Sequence, residues 1–349
     1  MQSHVNPRTP AGPQFVWFNN KLALKPYIFK YIIGYAMLYM MNTILDGLRR
    51  ELLTRVSLDS LPEGVWKRTG ALNTWGTNAI EGNTLSRDDV ERILLEDKSV
   101  GNRPMPDVLE TIQHAKTFAN LLERRKESIR LSTVLGMHEQ VFQGIKSDAG
   151  QWRRVNVRIK GMKHAPPRME EVVPRIAAWE KEYTGRDIAG EDALALGSWM
   201  HFEFESIHPF SDGNGRVGRL LLNLHFLKHN WPPVHILPPD RDRYLRSLVR
   251  GHDGDLVELN GFLRAAMARS LLDLLDQVGT RADEVKPFRT LARASPYSAK
   301  YLGLRATQEE LPAMKISGDW HSSERALGLY REFVARNKPR GVGSKSRPN

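Results

Sequence analysis

Along most of the chain, apolar residues recur three and four positions apart, the spacing that gathers them on one face of an α-helix. Val65, Leu72, Trp75 and Ala79 form one such stripe, closed by Gly82 where a left-handed cap is expected. Ser86-Arg87-Asp88-Asp89 reads as the start of the next helix, continued by Val90, Ile93 and Leu94. Further stripes run through Val108, Ile112, Ala115, Ala119 and Leu122, then through Leu135, His138, Phe142 and Ile145. Leu196, Met200, Phe204 and Ile207 precede Val217, Leu220, Leu221, Leu224 and Leu227, and a long stripe from Leu256 to Leu275 closes the series. Two stretches break this period. Val155, Val157 and Ile159 alternate with Asn156, Arg158 and Lys160, a strand pattern that Gly161 turns and Pro166-Pro167 ends. Past Thr280 the chain reads as a helix opening at Ser295 to Leu302, a strand over Leu311 to Ile316, and a turn at Ser317-Gly318-Asp319 into Trp320. A last helix follows, capped by Ser322 or Ser323 and marked by Ala326, Leu327, Tyr330 and Val334. The predicted fold class is mainly α.

These breaks divide the 349 residues into an N-terminal extension (1–48), a helical region (49–130), a core (131–280) and a C-terminal module (286–349). The extension opens with a proline-containing stretch (Pro7, Pro10, Pro13) expected to be poorly ordered, and the basic tail from Lys338 to Asn349 is expected to be disordered. Tyr27 to Leu45 is strongly apolar but carries Lys30, Asn42 and Thr43. A membrane span needs about 20 predominantly apolar residues, so a buried or protein-contacting helix is expected there rather than an anchor. No secretory pattern is evident, and cysteine is absent, which removes disulfides and thiolate metal sites and fits a cytoplasmic protein. The eleven histidines show no zinc-ligand spacing. A formal charge of +11 favours acidic partners, ATP or nucleic acid without choosing among them.

The chemistry concentrates in one run, His208-Pro209-Phe210-Ser211-Asp212-Gly213-Asn214-Gly215-Arg216-Val217-Gly218-Arg219, a loop between two predicted core helices. Unpaired N–H groups and the helix dipole make the start of the second helix an anion site. Gly213 and Gly215 let the backbone turn tightly and approach a phosphate. Arg216 and Arg219, three apart, leave one face of the first turn as forked cations suited to phosphate oxygens. Asp212 is a hard oxygen donor suited to Mg²⁺ shared with phosphates. His208, with an ordinary pKa of about 6.5, can accept a proton from a hydroxyl.

The run resembles the signature of the Fic-domain family, His-Pro-Phe-x-Asp-Gly-Asn-Gly-Arg-x-x-Arg, with every fixed position present. Members mostly transfer AMP from ATP to a hydroxyl side chain of a target protein. The resemblance implies His208 as general base and Asp212 as Mg²⁺ ligand. It makes Asn214, with the backbone of Gly213 and Gly215, a cradle for the α-phosphate, and gives Arg216 and Arg219 to the outer phosphates. Pro209 and Phe210 are expected to anchor the loop. Far upstream, Thr77-Asn78-Ala79-Ile80-Glu81-Gly82 resembles the family's inhibitory motif, with Thr77 and Glu81 on one helix face. It implies that Glu81 pairs with Arg219 and competes there with the γ-phosphate.

The resemblance further implies a Fic-type helical bundle with a small β-hairpin flap, to which an extended target segment adds as a strand near residues 155–161. The C-terminal pattern is similar to the winged-helix-like modules attached to some members. Contact with DNA through 286–349 competes with a protein-docking or homodimer-supporting role, and Glu309 and Glu310 weigh against DNA because acids repel phosphate. The expected function is an autoinhibited protein adenylyltransferase using ATP and Mg²⁺. The alternative is a DNA-associated or toxin–antitoxin-type regulator whose core senses nucleotide.

Overall fold

A computed structural model describes residues 26–159 and 164–337, with side chains from Met40 onward. The expectations for residues 1–20, for the flap tip at 160–163 and for the tail from Lys338 lie outside the described residues. Helix α1 (Pro26–Arg55) runs unbroken across the predicted boundary at 48. Its described half is no separate extension: Met40, Met41, Ile44, Leu45, Leu48 and Leu52 are buried in the main core. Among the described residues, no helix is long and apolar enough to cross a membrane.

The N-terminal helical region comprises α2 (Glu63–Ile80), α3 (Arg87–Leu94), α4 (Met105–Ala119) and the short α5 (Leu121–Arg124). Its boundaries follow local chemistry. At the end of α2, Gly82 (φ +95°) adopts the left-handed cap, with Gly82 N–H donating to Ala79 and Asn83 N–H to Asn78. Ser86 and Asp89 form the expected capping box on α3. Helices α2 and α4 are tied by Asn78 to Thr111 (3.2 Å) and Thr74 to His114 (3.0 Å), with Thr84 donating to Asp107 beside them.

The core is built on α6 (Leu131–Phe142), α7 (Met169–Ile188), α8 (Ala193–Ile207), α9 (Asn214–Lys228), α10 (Arg241–His252) and α11 (Val257–Val278). Helix α9 is buried on nearly every side, packed against α8, α6, α5 and α2. A helix so placed must be apolar all round except where its polar groups find partners. Its first turn therefore brings two arginines into the protein with carboxylates waiting for them.

The chain closes with β1 (Lys286–Pro287), α12 (Phe288–Arg293), α13 (Ala299–Thr307), β2 (Met314–Ile316), β3 (Asp319–Ser322) and α14 (Glu324–Arg336). The three strands form an antiparallel sheet in the order β1-β3-β2, with Lys286 opposite Ser322 and Lys315 opposite Trp320. Ser317 (φ +51°) and Gly318 (φ +90°) make the tight turn between β2 and β3, and Ser323 caps α14. This module is bolted to the rest. A Cβ on Gly47 would lie 2.9 Å from Leu329, so a glycine is what lets α1 and α14 approach. Asp283, fully buried, takes Arg325 at 2.6 Å and Arg55 at 3.3 Å. Glu309 pairs with Arg243 of α10 and Glu310 with Arg305, so the two acids expected to repel phosphate both form ion pairs within the chain.

The strand expected over 155–159 is not formed among the described residues. That stretch carries no regular element, and the described sheet lies wholly in the C-terminal module. Alternation set the side-chain pattern, but a strand also needs a second backbone to bond to.

Candidate active site

The signature loop hangs between the ends of α8 and α9. Phe210 anchors it, fully buried, with its ring stacked 3.8 Å from His138 and 5.2 Å from Trp152. His138 does more than the core role its stripe suggests: one ring nitrogen lies 3.2 Å from the Asp212 carbonyl and the other takes the Gly150 N–H at 2.9 Å. Arg153, also buried, donates to the carbonyls of His208 (2.8 Å), Val155 (2.9 Å) and Pro167 (2.5 Å). It thereby clamps both roots of the predicted flap to the loop. Neither residue stood out in the sequence, because both act through contacts made only after folding.

His208 terminates α8 in the left-handed region (φ +52°), which costs a non-glycine residue. Its Nδ1 lies 3.2 Å from the Glu205 carbonyl, which can only accept, so Nδ1 carries the proton. Nε2 is left as the basic atom of a half-buried ring. Burial holds the imidazole below its ordinary pKa, only partly offset by that carbonyl, so it is neutral at pH 7.

Gly213 (φ +81°) is the N-cap of α9, where it offers no side chain to the first-turn N–H groups. An added Cβ would lie 2.2 Å from the Phe142 ring. Gly213→Ala is therefore expected to cost at least ~2 kcal/mol of stability, read from urea unfolding, from backbone strain and the clash together. The Asn214 side chain is 1% exposed and accepts from Phe210 N–H at 2.8 Å while donating to Phe210 C=O at 3.0 Å. It staples the loop.

The charged groups converge as the signature implies. Arg219, buried, gives Nε to Thr77 Oγ1 and Nη2 to Glu81 Oε1, both at 2.6 Å. Thr77 and Glu81 thus share one guanidinium. Burial resists ionisation of Glu81, but Arg219 outweighs it and the carboxyl lies below its usual range. Glu81 Oε1 also sits 2.3 Å from where a Cβ on Gly215 would be, a carboxylate lying against the first turn of α9. Asp212, half exposed, faces Lys146 at 2.6 Å. Arg216, 5% exposed, meets Glu110 of α4 at 2.7 Å and lies 4.5 Å above the Phe142 ring. Its Nε is buried without an acceptor. Sequence reasoning found neither Lys146 nor Glu110, since no motif surrounds them.

Behind Arg219 lies Glu205, with Oε1 buried, lacking a hydrogen-bond partner and aimed at Gly218. Burial pushes its pKa up to about 8 against the pull of Arg219. A carboxyl raised in the folded state loses its contribution to stability as pH climbs from the unfolded value through the folded one. The unfolding free energy is thus expected to fall between pH 5 and 8, by ~4 kcal/mol at most, and this slope should flatten in Glu205→Gln. His201 beside it bonds Tyr244 at 2.7 Å, a core role. Away from the loop, Asp187, His225 and His229 gather closely enough to suggest a metal. However, Lys228 sits 2.5 Å from Asp187, and both His225 nitrogens are engaged by Tyr183 and Ala193.

Comparison with known proteins agrees with this geometry. The Fic/DOC family profile matches residues 128–226. The chain is 26% identical over 228 residues to protein adenylyltransferase Fic of Nematostella vectensis, covering 64% of this chain and 53% of that protein. It is 29% identical over 219 residues to protein adenylyltransferase fic-1 of Caenorhabditis elegans, covering 61% and 42%. The chain therefore spans about half the length, or less, of the curated relatives it matches. Among solved structures, Fic-1 (residues 134–508) of C. elegans superposes with a TM-score of 0.62 at 23% identity, over 72% of this chain and 75% of that one. A Fic-domain signaling protein from Bacteroides thetaiotaomicron gives 0.61 at 20% identity, over 67% and 97%. Those two share the fold. By profile and by fold, the stretch over residues 128–226 is similar to the Fic/DOC family.

Proposed function

We propose that this chain transfers AMP from ATP to a Ser, Thr or Tyr hydroxyl of a target protein, and that the end of α2 holds it in an inhibited state. One observation carries the reading: Glu81 occupies Arg219, at the anion-binding start of α9, one loop away from a neutral His208 whose Nε2 is basic. The names of the curated relatives support the chemistry. In the reaction His208 Nε2 takes the hydroxyl proton as the oxygen attacks the α-phosphorus in line. The bond to the bridging oxygen of the β-phosphate breaks, and Arg216 and Arg219 stabilise the departing pyrophosphate. The N–H groups of the first turn of α9 receive the α-phosphate oxygens.

The donor set suits magnesium. Asp212 presents a half-exposed carboxylate, 3.7 Å from Arg216 Nη2, and would hold the ion together with phosphate oxygens. When bound, Mg²⁺ offsets phosphate charge. Lys146 balances Asp212 in the meantime, and its flexible stem lets it withdraw. The backbone over 155–159, outside any described sheet and tied near its start by Arg153 to the His208 carbonyl, is suited to receiving a target segment by strand addition. The sheet order β1-β3-β2 with α12 and α13 supports a winged-helix-like reading of the C-terminal module. With Glu309 tied to α10, a docking role fits that module better than DNA contact.

The test follows label. Radioactivity from [α-³²P]ATP, but not from [γ-³²P]ATP, should appear on protein incubated with the Glu81→Gly variant. Label from the γ position alone would assign phosphate transfer instead.

A further inference from the structure

Each arginine of the signature has its own carboxylate, and the two carboxylates come from one structural unit. Arg219 holds Glu81 at the end of α2, and Arg216 holds Glu110 on α4. Helices α2 and α4 are cross-tied by Asn78–Thr111 and Thr74–His114, and the Asn83 side chain donates to Asp107 C=O at 3.0 Å. Thr111 follows Glu110 directly, so the tie that fixes Asn78 also fixes the base of the second carboxylate.

From this arrangement we infer that Glu110 is a second inhibitory carboxylate, which occupies Arg216 as Glu81 occupies Arg219, so that the N-terminal helices fill both cationic positions of the nucleotide site with anions. This rests on the functional reading above and extends it to a residue that no motif marks. The contact has the character of a stand-in rather than a fixed structural bond. Glu110 Oε2 approaches Arg216 Nη1 to 2.7 Å but off the line of a hydrogen bond, and both Nη1 and Nε remain buried donors without an aligned acceptor. An incoming phosphate, with three oxygens in place of one misaligned carboxylate, can satisfy those donors. Asp212, 3.7 Å away, is too far to satisfy them. Phe142 supports the guanidinium from below, so Arg216 keeps its place when Glu110 leaves.

Two consequences separate this from a role in which Glu110 only positions Arg216. Removing Glu81 alone leaves one anion in the site, so its relief is partial. Removing the Glu110 charge must also tighten ATP binding, whereas loss of a positioning group would weaken it. The experiment is ATP titration by calorimetry on full-length His208→Ala/Glu81→Gly protein with and without Glu110→Gln, where no transfer can occur. Transfer rates are compared in Glu81→Gly and Glu81→Gly/Glu110→Gln. Affinity should rise about fivefold with Glu110→Gln, roughly 1 kcal/mol, and the double variant should transfer faster than Glu81→Gly. Unchanged or weaker binding, or a fall in kcat, overturns the inference while leaving the functional reading intact. Absence of ATP binding in every variant sinks both. Should Glu110→Gln fold poorly by thermal melt, Glu110→Asp withdraws the carboxylate by one methylene, and the same direction of change is required of it.

Discussion

Replacing His208 with alanine is expected to reduce AMP transfer by about 10²–10⁴ while leaving ATP affinity nearly unchanged. The expectation follows from how the ring is held. Its Nδ1 proton is committed to the Glu205 carbonyl, so Nε2 is the basic atom, and burial keeps the ring neutral where a base must be unprotonated. Neither neighbouring histidine can substitute, since His138 of α6 is engaged at both nitrogens and His201 of α8 bonds Tyr244 in the core. The loop itself should persist in the variant, because its anchors are Phe210, Asn214 and Arg153 rather than the imidazole. Single-turnover transfer and ATP titration, measured side by side, separate loss of the base from loss of the fold.

The second large effect has the opposite sign. Glu81→Gly should raise transfer about tenfold or more, since a charge-assisted hydrogen bond is worth ~1.5–3 kcal/mol and each 1.4 kcal/mol is tenfold. Glu81 is a third exposed, which places the effect toward the lower end. Arg219 would not collapse without it, because Thr77 still accepts from Nε and, through its carbonyl, from Nη2. The guanidinium therefore stays aimed at the site and becomes free for a phosphate. Transfer rates on a competent target, compared between Glu81→Gly and the unmodified chain, check it; equal rates would remove the inhibitory role of α2.

Much of this was legible in the chain, though by two different routes. Helical periodicity located α2, α8, α9 and α11, since an apolar face must repeat at the helical period. The convergence of Glu81 with Arg219, 138 residues apart, came from the signature's resemblance to a family and not from spacing. What the sequence hid are groups whose roles arise only from packing. Phe142 looked like one more core position, yet its ring supports Arg216 and fixes Gly213 as glycine. Glu110 is one exposed-looking acid on an ordinary amphipathic helix until α4 is laid beside α9. Asn214 stands in the phosphate cradle that the resemblance implies, and only the fold shows its side chain bonding both backbone groups of Phe210. The alternation over 155–159 misled for a different reason: period two describes side chains, while a strand also requires a bonding neighbour. Glu309 and Glu310 were read as surface repulsion, and the fold uses them to dock and brace the C-terminal module.

The account stands most directly on a comparison of three forms of the full chain: unmodified, Glu81→Gly, and Glu81→Gly/His208→Ala. Each is incubated with ATP, magnesium and cell lysate, and protein-bound AMP is quantified by mass spectrometry. AMP on hydroxyl side chains should be low with the first, abundant with the second and nearly absent with the third. Equal AMP with the second and third forms would show that His208 is not the base and would contradict the proposed chemistry.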